Sequence, residues 1–392
     1  MRSALLFFAA AGMAFAQIAI RGDVVHTMAG TAIQDGVVLV ANGKIERVGA
    51  AAQVAIPSGY RTLRAKVVTP GLIDAHTVVG FSGYLNQPHD QEQVERSAPS
   101  QPELRAIDSY DARERLVEWV RSFGVTTIHT GHGPGSLISG QTMIAKTTGD
   151  TTDEATLVPA AMVAVTLGGG ARAEQGKSPG TRSKMIAMLR ADLLKAQDYA
   201  AKTPPARDLR VEALVPVVKR EMPLLVTVNK ANDILTAIRI GKEFNLRLVI
   251  DGAADAHLVL DELKASGYPV FVHPTMARAN GDTENLSLET AQKLKAAGIP
   301  FALQSGFESY VPKTRVVLLE AGMAAANGLT FENALASITI DAARLLGIDK
   351  RVGSLEAGKD ADIALYDGDP FEYTSHCAGV VIDGVLVSEE KR

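Results

Sequence analysis

The sequence predicts an α/β fold: a (β/α)8 barrel of the TIM type, with a small β-sandwich built jointly from the N- and C-terminal segments. Three observations carry that reading. Through the middle of the chain, short apolar runs alternate with longer amphipathic stretches, the pattern of parallel strands covered on both faces by helices. Both ends instead read as short alternating strands with hairpin turns. The chain of 392 residues also exceeds the ~250–300 residues at which one core stops growing, so a large domain and a smaller one are expected.

The elements follow in order. Residues 1–16 read as a signal peptide. Arg2 supplies the charge, residues 4–15 are an apolar run too short to span a bilayer, and Ala14-Phe15-Ala16 is a cleavage site before Gln17. The expected product is exported from a bacterial cytoplasm, to the periplasm or beyond. Residues 17–69 are all β. Residues 37–40 lead into Asn42-Gly43, a two-residue turn whose residues tolerate positive φ, and residues 45–49 return. Eight apolar runs then fill 70–347: residues 67–74, 125–129, 142–146, 162–167, 224–229, 246–251, 269–273 and 301–305. Eight such runs with helices between them, 108–123 and 183–199 being the clearest, fit a parallel eight-stranded barrel. Residues 348–392 return to strand, with Asp383-Gly384 as a second hairpin turn. They pair with 17–69 to form the sandwich.

Composition narrows the function. A net charge of −4 leaves no basic footprint for nucleic acid or anionic lipid. Past the leader, no window is long and apolar enough for a membrane span. The single cysteine, Cys377, excludes an intramolecular disulfide and reads as a strand residue rather than a nucleophile. The expected partner is a small-molecule ligand or substrate, with a homodimer or pairing with an active paralogue as the expected assembly.

Three motifs stand out. One is Pro70-Gly71-Leu72-Ile73-Asp74-Ala75-His76-Thr77-Val78. Another lies in 334–384 and contains Gly353-Ser354-Leu355-Glu356-Ala357-Gly358-Lys359-Asp360-Ala361-Asp362, followed by Asp369-Pro370 and Ile382-Asp383-Gly384. The last is the N-terminal hairpin with Asp35-Gly36 and Asn42-Gly43-Lys44-Ile45. Together they resemble the amidohydrolase superfamily, in its imidazolonepropionase-like and prolidase-like branch. The resemblance frames nearly the whole chain beyond residue 16. It implies the barrel-plus-sandwich fold and hydrolysis of carbon–nitrogen bonds in cyclic amides or small peptide-like substrates. Fold alone does not fix function, however.

The resemblance also implies one or two divalent metals, zinc in the usual case, at the C-terminal end of the barrel. There a metal lowers the pKa of bound water and needs about three protein ligands. The family pattern supplies two histidines on the first strand, often a carboxylated lysine on the fourth, histidines on the fifth and sixth, and an aspartate on the eighth. His76 matches the first ligand. Val78 stands at the second and has no lone pair. Ala164 and its neighbours bring no lysine, Asn229 stands where a histidine is expected, Asp251 is a carboxylate in place of a histidine, and Gly306 is near the aspartate position. Lys146 comes too early to serve as the lysine.

Substitute ligands are His129, His132 and Asp251 around His76. Candidates for lining a substrate pocket are Asn229, Asp251, His273 and Gln304, all near predicted strand ends, where barrel sites collect. Gly168-Gly169-Gly170 can cradle an anion with backbone N–H groups. Thr181 reads as a helix cap and Arg182 as an exposed arginine beside it. Two readings remain open. One is an exported family member with a degraded metal set, weakly active or binding a ligand without catalysis. The other is a working hydrolase with a site remodelled around His76.

Overall fold

The computed structural model describes residues 17–85, 87–174, 176–202, 206–272, 279–307, 316–389 and 391. The first four strands are β1 (Ile18–Val25), β2 (Ile33–Ala41), β3 (Lys44–Ala50) and β4 (Arg61–Pro70). The central strands are β5 (Leu72–Thr77), β6 (Val125–Thr130), β7 (Ile138–Gln141), β8 (Met143–Lys146), β9 (Thr156–Val158), β10 (Val163–Thr166), β11 (Leu224–Val228), β12 (Leu248–Gly252), β13 (Val270–Val272) and β14 (Phe301–Leu303). Three more close the chain: β15 (Ile363–Tyr366), β16 (Cys377–Ile382) and β17 (Val385–Ser388).

The two chain ends do meet, but in one seven-stranded sheet of order β17-β16-β15-β4-β1-β2-β3 rather than a two-sheet sandwich. The turns behave as the sequence requires. Asn42 and Gly43 both have positive φ (53° and 76°), so β2 and β3 pair antiparallel directly across them. The run at 67–74 is not one strand. Its first half completes β4 in the terminal sheet, and after Gly71 the chain enters β5 of the central region. A Cβ at Gly71 would lie 2.1 Å from the Thr126 hydroxyl, so this crossing admits no side chain.

The central region holds a six-stranded sheet, β14-β13-β12-β11-β10-β7, and a four-stranded one, β5-β6-β8-β9. Strands β10 to β14 are parallel, as expected. The third run is not. Residues 138–146 return antiparallel, with β7 pairing to β10 and β8 to β6. A parallel return needs a crossover of a dozen or more residues, and the loop 131–137 after β6 is too short for one.

The sheets abut at two seams. At one, the Thr142 N–H donates to Met162 O (2.9 Å) and the Ala161 N–H to Thr142 O (2.8 Å); at the other, the Gly306 N–H donates to His76 O (3.2 Å). Continuous ladders do not close them into a single barrel.

Ile73, Leu225, Val249, Phe271 and Ala302, from five different strands, share one buried cluster. Because strand side chains alternate, the residues two positions on, Thr227, Asp251 and Gln304, form the next layer toward the strand ends. His273 lies outside the described residues, as do residues 1–16 of the expected leader. Among the described residues, no helix is long and apolar enough to cross a membrane.

Candidate functional site

Asp251 is the centre of the site. Its carboxylate is 2 % exposed and takes three side-chain donors. His76 Nδ1 lies 3.0 Å from Oδ1, Gln304 Nε2 donates to the same oxygen at 2.6 Å, and the Thr227 hydroxyl donates to Oδ2 at 2.6 Å. Burial opposes ionisation of Asp251. The charge and hydrogen bond of His76, with the Thr227 and Gln304 bonds, outweigh it and hold the carboxyl below its ordinary range. His76 is the mirror case. Burial works against its charge, but Asp251 and Asp74 hold the imidazole above the ordinary histidine range. The result is a buried ion pair in which Nδ1 carries the shared proton.

Two further residues hold β5 in place. Asp74 accepts the backbone N–H of Ser305 at 3.0 Å and that of His76 at 3.3 Å, and burial pushes its carboxyl up to about 6. His129, fully buried, has Nδ1 2.7 Å from Ala75 O. A carbonyl only accepts, so Nδ1 bears the hydrogen and Nε2 is left to accept from the Thr142 hydroxyl, also at 2.7 Å. Burial, with the His76 charge nearby, pushes His129 down to about 3, so the ring is neutral. It ties β6 to β5 and to Thr142 at the seam.

The sequence candidates thus divide. The fold brings His76, His129, Asp251 and Gln304 together: the His76 and His129 ring centres are 5.6 Å apart. Both His129 nitrogens are already engaged. His132 is buried beside Gly140 and the Phe81 ring, and burial alone pushes it down to about 4. Asn229 turns toward the loop after β12, where its Oδ1 accepts the Ala254 N–H at 3.4 Å.

Gly169 does bind an anion, but one from this chain: its N–H donates to Asp282 at 2.7 Å. Thr181 caps its helix by accepting from the Lys184 N–H. Arg182 is not a free arginine, since it makes a two-pronged ion pair with Asp233 (2.7 and 2.9 Å). Lys146, on the antiparallel β8, points to the other end of the region and bonds Asp360, Asp362 and Asp383 there. The sequence reading passed over Thr227 and Thr142. Thr227 carries a readable signal, two residues before Asn229 on the inner face; Thr142 carries none without the strand direction.

A profile of the amidohydrolase family matches residues 259–388. The imidazolonepropionase of Rhizorhabdus wittichii is 27 % identical, over 87 % of this chain and 91 % of its own length. That of Stenotrophomonas maltophilia is 25 % identical, over 86 % and 87 %. A crystal structure of an amidohydrolase from Thermotoga maritima superposes with a TM-score of 0.89 at 26 % identity, covering 95 % of this chain and all of the other. The chain belongs to the amidohydrolase superfamily. Among its relatives over most of its length are imidazolonepropionases. A Xaa-Pro dipeptidase structure shares the fold, at a TM-score of 0.61 and 16 % identity, over 95 % of this chain and 99 % of that one.

Amidohydrolases usually bind a metal ion, and the described side chains of this one do not fit a catalytic metal. Val78 is fully buried, and its methyl lies 3.3 Å from where a Cβ on Gly133 would sit, with the Phe307 ring 3.2 Å from the same point. Apolar packing fills the place of the second histidine. His76 Nε2 is buried without a hydrogen-bond partner and is one nitrogen where about three ligands are needed. Among the described residues, no group of three or more His, Cys, Asp or Glu side chains is arranged to hold a metal.

Proposed function

We propose that this amidohydrolase is an exported small-molecule-binding protein. In this reading the eight runs work as one barrel whose metal grip has been replaced by a hydrogen-bonded polar layer, and metal-dependent cleavage of carbon–nitrogen bonds is weak or lost. The observation that carries it is the saturation of Asp251 by His76, Thr227 and Gln304. A buried carboxylate with one cationic and two neutral donors is already neutralised and bonded. Recruiting the carboxylate itself to a metal breaks those bonds. The burial of the apolar Val78 side chain, close to Gly133, supports the same reading.

One observation favours a second reading, a working hydrolase remodelled around His76. A carboxylate behind Nδ1 with Nε2 free is how metal-bound histidines are commonly oriented, and His76 has that form.

Metal analysis of the purified protein, paired with hydrolysis assays on Xaa-Pro dipeptides and a cyclic amide with and without added zinc, separates the two. The binding reading expects substoichiometric metal and no hydrolysis above background. A stoichiometric divalent metal that is lost in His76→Ala, together with hydrolysis, would overturn it.

A further inference from the structure

Away from the barrel end, the helix Arg115–Arg121 faces β17, the outer strand of the terminal sheet. Between them lies a cavity of about 540 Å³, bounded by Tyr84, Arg115, Trp119, Arg121, Val387 and Ser388 among others. That volume falls within the ~300–1,000 Å³ typical of small-molecule sites. Helical spacing accounts for one wall: Arg115, Trp119 and Ser122 recur at i, i+4 and i+7, and all three line the cavity.

The walls have a definite chemistry. The Arg115 guanidinium sits 5.2 Å above the Tyr84 ring centre, and Trp119 stands edge-on against Phe123 at 5.0 Å. Two flat aromatic surfaces thus border the cavity beside two guanidiniums. Arg121 spends one nitrogen on Thr147 O (2.8 Å). Of the two carboxylates that line the space, Glu389 is drawn off by Arg61 at 2.8 Å. That leaves Arg115 and Arg121 facing Glu118 alone, an excess of one positive charge next to aromatic faces. Guanidinium forks match carboxylates, and aromatic faces take a planar ring.

We infer that this cavity is a binding site for a small aromatic carboxylate, separate from the barrel end. Its occupant touches Tyr84, directly after the segment 79–83 that leads out of β5, and so lies against the chain that carries His76.

Trp119 is the only tryptophan of the chain, so its emission reports on the cavity directly. The experiment is titration of the full-length protein with benzoate, followed by Trp119 fluorescence and by calorimetry. Benzyl alcohol serves as the uncharged analogue, and Arg115→Gln and His76→Ala as variants. The expected result is saturable 1:1 binding, weakened about tenfold by Arg115→Gln and by loss of the ligand's charge, as for one charge-assisted hydrogen bond. His76→Ala leaves it unchanged. No saturable signal up to about 10 mM benzoate, where even a weak site fills, overturns the inference. So does equal binding of benzyl alcohol, indifference to Arg115→Gln, or loss of binding in a His76→Ala protein that urea unfolding shows to be folded, which moves the site to the barrel end.

Discussion

Glu114 immediately precedes the helix Arg115–Arg121, and its side chain is only 9 % exposed. One carboxylate oxygen accepts the Gly80 N–H, and the Gly83 N–H also bonds the group. The other oxygen is buried without a partner. Gly80 has φ +92°, and a Cβ there would lie 2.2 Å from the Tyr110 ring, so the segment after β5 has no alternative route. Burial, helped by Asp111 and Asp90 and opposed by the two N–H bonds, pushes the carboxyl from 4.5 up to about 7. The folded protein therefore holds this proton more tightly than the unfolded chain does. The associated stability is fully present below pH 4.5 and is lost as pH rises through about 7. At about 1.4 kcal/mol per pH unit over that interval, the loss amounts to roughly 3 kcal/mol.

Glu114→Gln is the uncharged isostere and removes this dependence. At pH 4.5, urea unfolding should place variant and parent within about 0.5 kcal/mol, the ordinary range for a neutral exchange. At pH 9 the variant should be the more stable by roughly 2–3 kcal/mol. A variant less stable than the parent at both pH values would refute the reasoning, because the ionised carboxylate would then be a net stabiliser of the 80–83 segment.

Two further predictions concern buried polar groups. Lys146→Met leaves Asp360, Asp362 and Asp383 without the ammonium that bonds all three. A loss of about 3–5 kcal/mol is expected, as when one partner of a buried ion pair is removed, read as a lower urea midpoint. Thr142→Val deprives His129 Nε2 of its donor and the Met162 N–H of an acceptor. It should cost about 1–3 kcal/mol in the same assay, with Thr142→Ser recovering most of it.

Much of the fold was legible because its signals are local. Asn42-Gly43 and Asp383-Gly384 declare hairpins through the positive φ both residues of each pair adopt. The parallel run from β10 to β14 shows in apolar segments separated by helices. The third run misled because an apolar strand reads alike in either direction; the missing helix between residues 130 and 138 was the available clue. At the site, Val78 and Gly306 have no metal-ligating side-chain atom, and that much is read directly from the sequence. The site's positive content was harder to read: Asp251 was visible as a carboxylate at a strand end, but nothing nearby named its donors. Arg182 looked exposed because Asp233, its partner, lies on another helix.

By itself, then, the sequence determined the family and the identities at the ligand positions, since motifs, turns and the lack of a lone pair on Val78 are properties of neighbouring residues. Only the tertiary structure decided which side chains meet around His76. His76 and Asp251 are 175 residues apart in the chain, and Lys146 and Asp360 are 214 apart. Whether such groups meet depends on strand direction and on which layer of the interior each side chain enters, and both are settled by packing between elements rather than by periodicity within one.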